Sequence, residues 1–192
     1  MAIDMKEVIA QAAAKLLIEK KVKRLTVKEI VEECHITRQA FYYHFSDIPD
    51  LLQWILQQKG EQLLQGYYGF EDGESRLRYF FLVVIHVMPY VKKGIESNYG
   101  DEIERLIARH AHALFENIAE KEGIYQNYEP FERQLILRYH CQAVRGILRE
   151  WSKEDNKNLD QIVHIVFLMI INGTPRLCDN IYIEPIDKTA GV

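Results

Sequence analysis

With 192 residues and 48% hydrophobic side chains, the chain can bury a sizeable core and corresponds to one domain, or to a small domain joined to a larger one. A formal net charge of −4 excludes a general polycation, so contact with nucleic acid requires a local basic patch. Cys34, Cys141 and Cys178 are widely spaced and form no CxxC pair, which argues against a disulfide framework or a structural zinc site and favours free thiols in a reducing cytosol.

Helical periodicity divides the first fifty residues into three predicted helices. Asp4 can cap a helix that extends to about Lys20. Thr26 can cap a second helix, and Glu29 three residues later would complete a capping box. A short break then precedes a third helix at residues 38–45. Two helices joined by a short turn, with another helix packed behind them, form the helix-turn-helix layout, whose second helix enters the major groove of DNA.

The third helix carries apolar and polar side chains on different faces. Phe41 and Phe45 are four residues apart, so they share one face and are predicted to pack inward. On the outer face, Arg can pair bidentately with guanine and Gln with adenine, while hydroxyls and aromatic rings reach phosphates and sugars. The residues predicted to contact DNA, two of them from the start of the second helix, are Thr26, Lys28, Thr37, Arg38, Gln39, Tyr42, Tyr43 and His44.

The charge of this region is balanced overall but uneven along the chain. Residues 1–50 contain eight Lys or Arg and eight Asp or Glu, so the region as a whole is neutral. The stretch from Lys20 to Lys28 nevertheless has five basic residues and no acid. We therefore expect a narrow positive strip and a weak non-specific affinity for DNA that salt readily suppresses.

The segment LTVKEIVEECHITRQAFYYHFSDIPDLL resembles the N-terminal domain of the TetR family of transcriptional regulators. The matching positions are Thr26, Ile30, Thr37, Tyr42, His44, Phe45 and Leu51. The runs RQAFYYHF and GILREW are similar to a subgroup that includes the dihydroxyacetone-kinase operon regulators. The resemblance implies a dimeric repressor that binds double-stranded operator DNA and is controlled by a small-molecule effector in its C-terminal helices.

Two positions depart from the family pattern. The turn between the second and third helices usually has glycine in a left-handed conformation, where this chain has His35. The fourth helix usually starts with a lysine that contacts phosphate, where this chain has Ile48. We expect DNA affinity to depend more strongly on Thr26, Lys28 and Tyr42 as a result.

The rest of the chain also predicts helices. A fourth helix extends to about Tyr67, and a break at residues 69–75 separates it from four longer helices at about 74–97, 101–121, 129–153 and 159–178. The predicted fold is all-α, with a helix-turn-helix domain at residues 1–50 and a helical effector-binding and dimerisation bundle at 51–192. The longest apolar run, residues 162–171, is too short to span a membrane, so we expect a cytoplasmic protein without membrane contact.

The helix at about 129–153 has two apolar stripes, which predicts that both of its sides are covered. One stripe contains Phe131, Leu135, Tyr139, Ala143, Ile147 and Trp151, and the other contains Leu137, Cys141, Val144 and Leu148. Paired with the last helix, it suits a homodimer interface of the four-helix-bundle type. The residues predicted for that interface are Val144, Leu148, Ile162, Val166 and Ile170. The alternative is that both helices are buried inside a monomer.

Polar side chains on apolar helix faces are candidates for an effector pocket. The predicted pocket residues are His86, Tyr90, His110, Tyr139 and His140. The alternative is that they are ordinary core residues with satisfied hydrogen bonds. No HExxH pattern supports a metal site, and no GxSxG, P-loop or GxGxxG motif supports an enzyme. We therefore predict no cofactor, no metal and no catalytic residue.

The functional prediction is a dimeric regulator that reads a palindromic operator and is controlled by an effector. A two-fold dimer would place its two recognition helices about one DNA turn apart, or a small multiple of it. The alternative function is a helical interaction protein, or a co-activator working through a partner protein, in which DNA binding is weak or lost. His35, Ile48 and the neutral charge balance support that alternative.

Overall fold

The computed structural model of the chain describes residues 4–172. Over that range the chain is all-helical, as predicted. The helices are α1 (Met5–Ile18), α2 (Val27–Glu33), α3 (Arg38–His44), α4 (Ile48–Tyr67), α5 (Gly73–Ile95), α6 (Gly100–Lys121), α7 (Pro130–Arg149) and α8 (Leu159–Ile171), with a 3-10 turn at Asp155–Asn158 before α8. Cys178 and the predicted end of the last helix lie outside the described residues.

Side-chain caps start each of the first five helices, which explains why the sequence divides where it does. Asp4, Thr37, Asp47 and Asp72 each accept a hydrogen bond from a backbone N–H in the first turn of the helix that follows. Thr26 caps α2 by accepting from the N–H of Glu29 at 3.2 Å. In a capping box the Glu29 carboxylate would accept from the backbone N–H of Thr26. Here it accepts from the Thr26 hydroxyl instead, at 2.8 Å.

The first hydrophobic core, here called the N-terminal core, joins α1 to α4 with the start of α6. Its centre includes Ile9, Ile30, Phe41 and Phe45, and the buried side chains of Ile103 and Leu106 reach it from α6. Residues 1–50 therefore do not close this core by themselves. The predicted domain boundary at residue 50 also falls within the first turn of α4.

A second core, the C-terminal core, lies among α4, α5, α7 and α8. Phe81 is fully buried there and packs edge-on against Trp151, with ring centroids 5.7 Å apart. A smaller cluster of Ala119, Tyr125 and Leu137 lies beside it. Within residues 4–172, no helix combines the length and the apolarity that a membrane crossing needs.

The predicted joint between the two parts is held by charged and aromatic contacts. Arg76 on α5 donates to the carboxylate of Glu122 at 2.5 Å and to the carbonyl of Phe70 at 2.8 Å. The ring of Tyr68 lies near two cations, 5.8 Å from the Arg76 guanidinium and 4.8 Å from the Lys121 ammonium. These contacts hold the connection between α4 and α5 against the C-terminal end of α6.

Candidate DNA interface and effector region

The turn between α2 and α3 has the left-handed conformation that the family pattern implies. His35 has φ = 54°, in the region where glycine is usual. The N–H of Ile36 donates to the carbonyl of Val31 at 3.0 Å, which closes the end of α2 in the manner of a Schellman motif. The turn is thus formed with histidine in place of glycine, at the expense of some backbone strain.

The recognition helix α3 is anchored by two aromatic side chains. Phe41 is fully buried and Phe45 is 2% exposed, so the prediction that both pack inward is confirmed. Phe45 also packs edge-on against Trp54 of α4, with centroids 5.8 Å apart. These contacts fix the rotation of α3 about its axis, because a different rotation would expose both rings.

The opposite face of α3 is open to solvent. Thr37, Arg38 and Gln39 are exposed, and so are Tyr42 and Tyr43, at 57% and 85%. His44 is half-buried and lies edge-on to Tyr43, with centroids 5.1 Å apart. The predicted reading residues are therefore available for contact, with Tyr43 projecting furthest.

Two predicted phosphate contacts on α2 are partly engaged within the chain. The hydroxyl hydrogen of Thr26 is donated to Glu29, so this side chain is not a ready donor to phosphate. Lys28 is exposed and lies 3.9 Å from Glu32, a loose pair that leaves the ammonium group accessible.

One lysine of the predicted basic strip pairs with an acid of α2. Glu33 accepts from the ammonium groups of both Lys15, at 2.8 Å, and Lys20. The hydrogen bonds from Lys15 and Lys20 lower the pKa of the Glu33 carboxyl to about 2. Lys20 shares this carboxylate with Lys15 and stays exposed, and Lys21, Lys23 and Arg24 are exposed beside it.

The start of α4 offers no side-chain cation to DNA. Ile48 is 3% exposed and belongs to the N-terminal core, so this position contributes packing where the family pattern has a phosphate contact. Asp47 and Asp50 next to it close the helix start: the N–H of Asp50 donates to Asp47 at 2.8 Å and the N–H of Ser46 to Asp50 at 2.9 Å.

The five residues predicted for an effector pocket do not meet in one cavity. His86 and Tyr90 pack edge-on, with centroids 6.1 Å apart, but both are exposed on α5. Tyr139 is 60% exposed on α7, and His110 is half-buried on α6. Only His140 is buried. Helical spacing placed these residues on apolar helices, but it could not show that His86 and Tyr90 point outward.

His140 is the one predicted pocket residue with an unusual environment. It is 6% exposed, and its Nε2 has no hydrogen-bond partner among the described residues. Burial lowers the pKa of its imidazole. An orphan polar atom in a core is uncommon and needs an explanation.

The predicted dimer residues also require correction. Val144, Leu148 and Val166 are 2%, 3% and 6% exposed, because they pack inside their own chain in the C-terminal core. Ile162 and Ile170 are half-buried and pack against the same core. None of the five therefore presents a largely exposed apolar surface to a second copy.

A different set of large apolar side chains on the last two helices is exposed to solvent. This α7–α8 face consists of exposed side chains: Phe131, Leu135, Tyr139, Ile147, Ile165, Leu168 and Met169. The groove along α7 between Leu135, Arg138, Tyr139, Gln142 and Ala143 has a volume of about 410 Å³ and is open to solvent. The first five residues of the first predicted stripe of α7 thus lie outward, while the second stripe lies inward.

No group of three or more His, Cys, Asp or Glu side chains within residues 4–172 is arranged to hold a metal ion. His140 and Cys141 are consecutive on α7, and consecutive helical residues point about 100° apart, so they do not form a nucleophile–base pair.

Comparison with known proteins matches the helix-turn-helix region to a family. Residues 9–54 match the model of the bacterial regulatory proteins of the tetR family. The chain is 26% identical to the HTH-type dhaKLM operon transcriptional activator DhaS of Lactococcus lactis subsp. lactis (strain IL1403), over 85% of this chain and 89% of that protein.

Solved structures share the fold. The dihydroxyacetone kinase operon activator DhaS superposes with a TM-score of 0.61 at 20% identity, over 88% of this chain and 97% of that chain. The fatty acid degradation regulator FadR from Bacillus halodurans superposes with a TM-score of 0.54 at 15% identity, over 88% and 99% of the two chains.

The family and these relatives are transcriptional regulators and not enzymes, in agreement with the prediction from sequence. The helix-turn-helix with its exposed outer face lies within the segment that matches the tetR family model, and the chain as a whole is similar to the transcriptional regulators named above.

Proposed function

We propose that the chain acts as a homodimer that binds a palindromic operator through α3 and changes its DNA affinity when an effector binds in the C-terminal part. The observation that carries the DNA-binding proposal is the division of α3, with Phe41 and Phe45 buried and Arg38 and Gln39 exposed. This arrangement presents Arg38, which can bind guanine, and Gln39, which can bind adenine, on one rigid helix face.

The α7–α8 face supports dimerisation. Both helices carry large apolar side chains that are exposed, with Met169 60% exposed and Phe131 77% exposed. Exposed apolar side chains grouped on a helix often mark an interaction site. A second copy related by a two-fold axis would cover the same residues on both chains, forming a four-helix interface and pairing the two recognition helices.

The surroundings of His140 are the proposed effector region. Its buried Nε2 lies on α7 beside Tyr125, near the cluster that joins α6, α7 and α8. A ligand group that donates to or accepts from this nitrogen would give the orphan atom a partner. Such a ligand shifts the regulator between two states only if it binds them with different affinities.

The direction of regulation is open to experiment. The family resemblance predicted repression, whereas the curated relative is named as a transcriptional activator. This likeness favours activation, and a reporter gene placed behind the selected operator would show which sign applies in cells.

The alternative function, an interaction protein with weak DNA binding, is favoured by the buried Ile48 and the internally paired Lys20. Selection of the full chain on random DNA duplexes at low salt separates the two functions. We expect an enriched palindrome with half-sites about one helical turn apart, or a small multiple of it. Failure to enrich any sequence would contradict operator binding and favour the alternative.

A further inference from the structure

The turn between α5 and α6 forms hydrogen bonds with the backbone of the loop between α1 and α2, much as neighbouring β-strands do. The backbone N–H of Asn98 donates to the carbonyl of Lys23 at 3.1 Å. Its side chain continues the pairing, because Oδ1 accepts from the N–H of Leu25 at 2.8 Å and Nδ2 approaches the Leu25 carbonyl at 3.5 Å. One asparagine from the C-terminal part therefore serves both backbone groups of Leu25, 73 residues away in the chain.

The turn that carries Asn98 is tightly built. The hydroxyl of Ser97 donates to the carbonyl of Gly94 at 2.6 Å and accepts from the N–H of Tyr99 at 3.2 Å. The N–H of Gly100 donates to the Ser97 carbonyl at 3.1 Å. A Cβ on Gly100 would lie 2.1 Å from the carbonyl oxygen of Ile95, so this close approach requires glycine. The backbone thus holds Asn98 in place before its side chain binds Leu25.

Leu25 is where this contact affects the helix-turn-helix. It is 1% exposed, and a buried backbone N–H without a partner is strongly disfavoured, so the bond from Asn98 matters to the loop. The next residue, Thr26, caps α2. A crevice of about 320 Å³ beside this contact is lined by residues from both parts, among them Tyr42 of α3 and Tyr99.

We propose that Asn98 is a positioning residue for DNA binding, which holds the α1–α2 loop, and with it the start of α2, against the turn between α5 and α6. Both polar groups of its side chain face Leu25, so it acts through Leu25. Ile103 and Leu106 continue the same contact into the N-terminal core. The inference rests on the proposed function, since it assumes that the helix-turn-helix binds DNA.

The two tryptophans allow this coupling to be measured without DNA. Trp54 packs against the N-terminal core, and Trp151 packs against the C-terminal core. In the full chain with Trp151→Phe, fluorescence reports the N-terminal core, and with Trp54→Phe it reports the C-terminal core. We expect the two urea unfolding midpoints to coincide in these parents. Adding Asn98→Ala should lower the urea midpoint reported by Trp54 below the one reported by Trp151. The reason is that the N-terminal core loses the hydrogen bonds between Asn98 and Leu25.

Two further variants make the result specific. Asn98→Asp keeps an acceptor for the N–H of Leu25, so its midpoints should stay together. Asn117→Ala, at an exposed position on α6, should leave both midpoints unchanged. Midpoints that still coincide in Asn98→Ala would overturn the proposal. If circular dichroism shows that Asn98→Ala does not fold, Asn98→Gln provides the same test, because it keeps the amide but displaces it by one methylene.

DNA binding provides the second measurement. On an operator obtained by selection from random duplexes, Asn98→Ala should bind about tenfold or more weakly than the parent, as expected when a buried donor loses its acceptor. Unchanged affinity would overturn the positioning role. If the parent chain binds no DNA, the proposed function fails, while the comparison of the two tryptophans still decides whether Asn98 couples the two cores.

Discussion

The imidazole of His140 stacks on the phenol ring of Tyr125, with centroids 5.8 Å apart and an angle of 3° between the planes. The Tyr125 hydroxyl donates to the carbonyl of Ile170 at 2.7 Å, so this stack links α7 to the end of α8. Burial raises the pKa of Tyr125 well above its usual range and lowers the pKa of His140 below 6.5. Burial therefore favours the neutral form of both rings.

Acid should weaken this part of the protein through His140. The unfolded chain takes up a proton at a higher pH than the folded chain, so the stability from neutral His140 is present above about pH 6.5 and declines as pH falls through the folded pKa. His140→Phe keeps a ring against Tyr125 but does not titrate. The loss of thermal stability between about pH 7.5 and 5.5 should be smaller in this variant than in the parent. The control His86→Phe changes an exposed histidine and should lose as much thermal stability on acidification as the parent. If His140→Phe also lost as much as the parent, His140 would not be the source of the acid sensitivity.

Arg38 should contribute to specific DNA recognition. Arg38→Ala removes a bidentate guanine reader from the exposed face of α3, which is worth about 1–3 kcal/mol, or roughly tenfold to a hundredfold in operator affinity. The melting temperature should hardly change, because the side chain is exposed. Fluorescence anisotropy with the selected operator and a scrambled duplex measures the effect. Arg109→Ala, exposed on α6, is the control; equal affinity of Arg38→Ala and the parent for both duplexes would refute the role of Arg38.

His35 should be a site where glycine stabilises the fold. Its φ of 54° destabilises a residue with a Cβ by about 1 kcal/mol, and glycine would relieve this strain. Glycine also has more conformational freedom in the unfolded chain, which offsets part of the stabilisation. We expect His35→Gly to raise the free energy of unfolding by up to about 1 kcal/mol. His35→Ala keeps the Cβ and should give no such gain in urea titrations. Equal stability of the two variants would show that the left-handed conformation is not the cause.

The α7–α8 face should determine the oligomeric state. Met169 is 60% exposed there, and Met169→Glu would place a charge in the centre of an apolar contact, where it would be desolvated. Sedimentation velocity at micromolar concentration should show a dimer for the parent and a monomer for the variant. Gln62→Glu, exposed on α4, should remain dimeric. A monomeric parent would rule out the proposed interface.

Glu33 should make the N-terminal core sensitive to strong acid. Its pKa is lowered from 4.5 to about 2 by the hydrogen bonds from Lys15 and Lys20, so its contribution is present above about pH 4.5 and is lost as pH falls towards 2. Glu33→Gln should be less stable at neutral pH and should lose less stability over that interval, measured by Trp54 fluorescence. Glu32→Gln, one residue earlier and exposed, is the matched control. Parallel acid profiles for Glu33→Gln and the parent would contradict this role.

Much of the DNA-reading part could be predicted from local patterns. The caps at Asp4, Thr26 and Thr37 are short-range interactions, and they divide the chain into the helices that the structure shows. The spacing of Phe41 and Phe45 by four residues was enough to separate the buried face of α3 from the exposed one. The left-handed turn at His35 followed from the family resemblance.

The C-terminal part was harder, because its helices have more than one apolar face. The spacing of apolar residues along α7 predicted two apolar stripes. It did not indicate which stripe packs against the chain's own core. The structure places Val144 and Leu148 inside and leaves Leu135 and Tyr139 outside, so these two predicted interface residues face the chain's own core. The predicted pocket residues are likewise divided, since His86 is exposed and His140 is buried.

By itself, the sequence determined the helices, the two faces of the recognition helix and the resemblance of its N-terminal part to a known family, because each depends on residues close together in the chain. Only the tertiary structure decided that α6 completes the N-terminal core, that Lys20 pairs with Glu33, and that Asn98 binds Leu25 from 73 residues away. Contacts of this kind arise from how the helices pack against one another. Periodicity along one helix limits that packing but does not specify it.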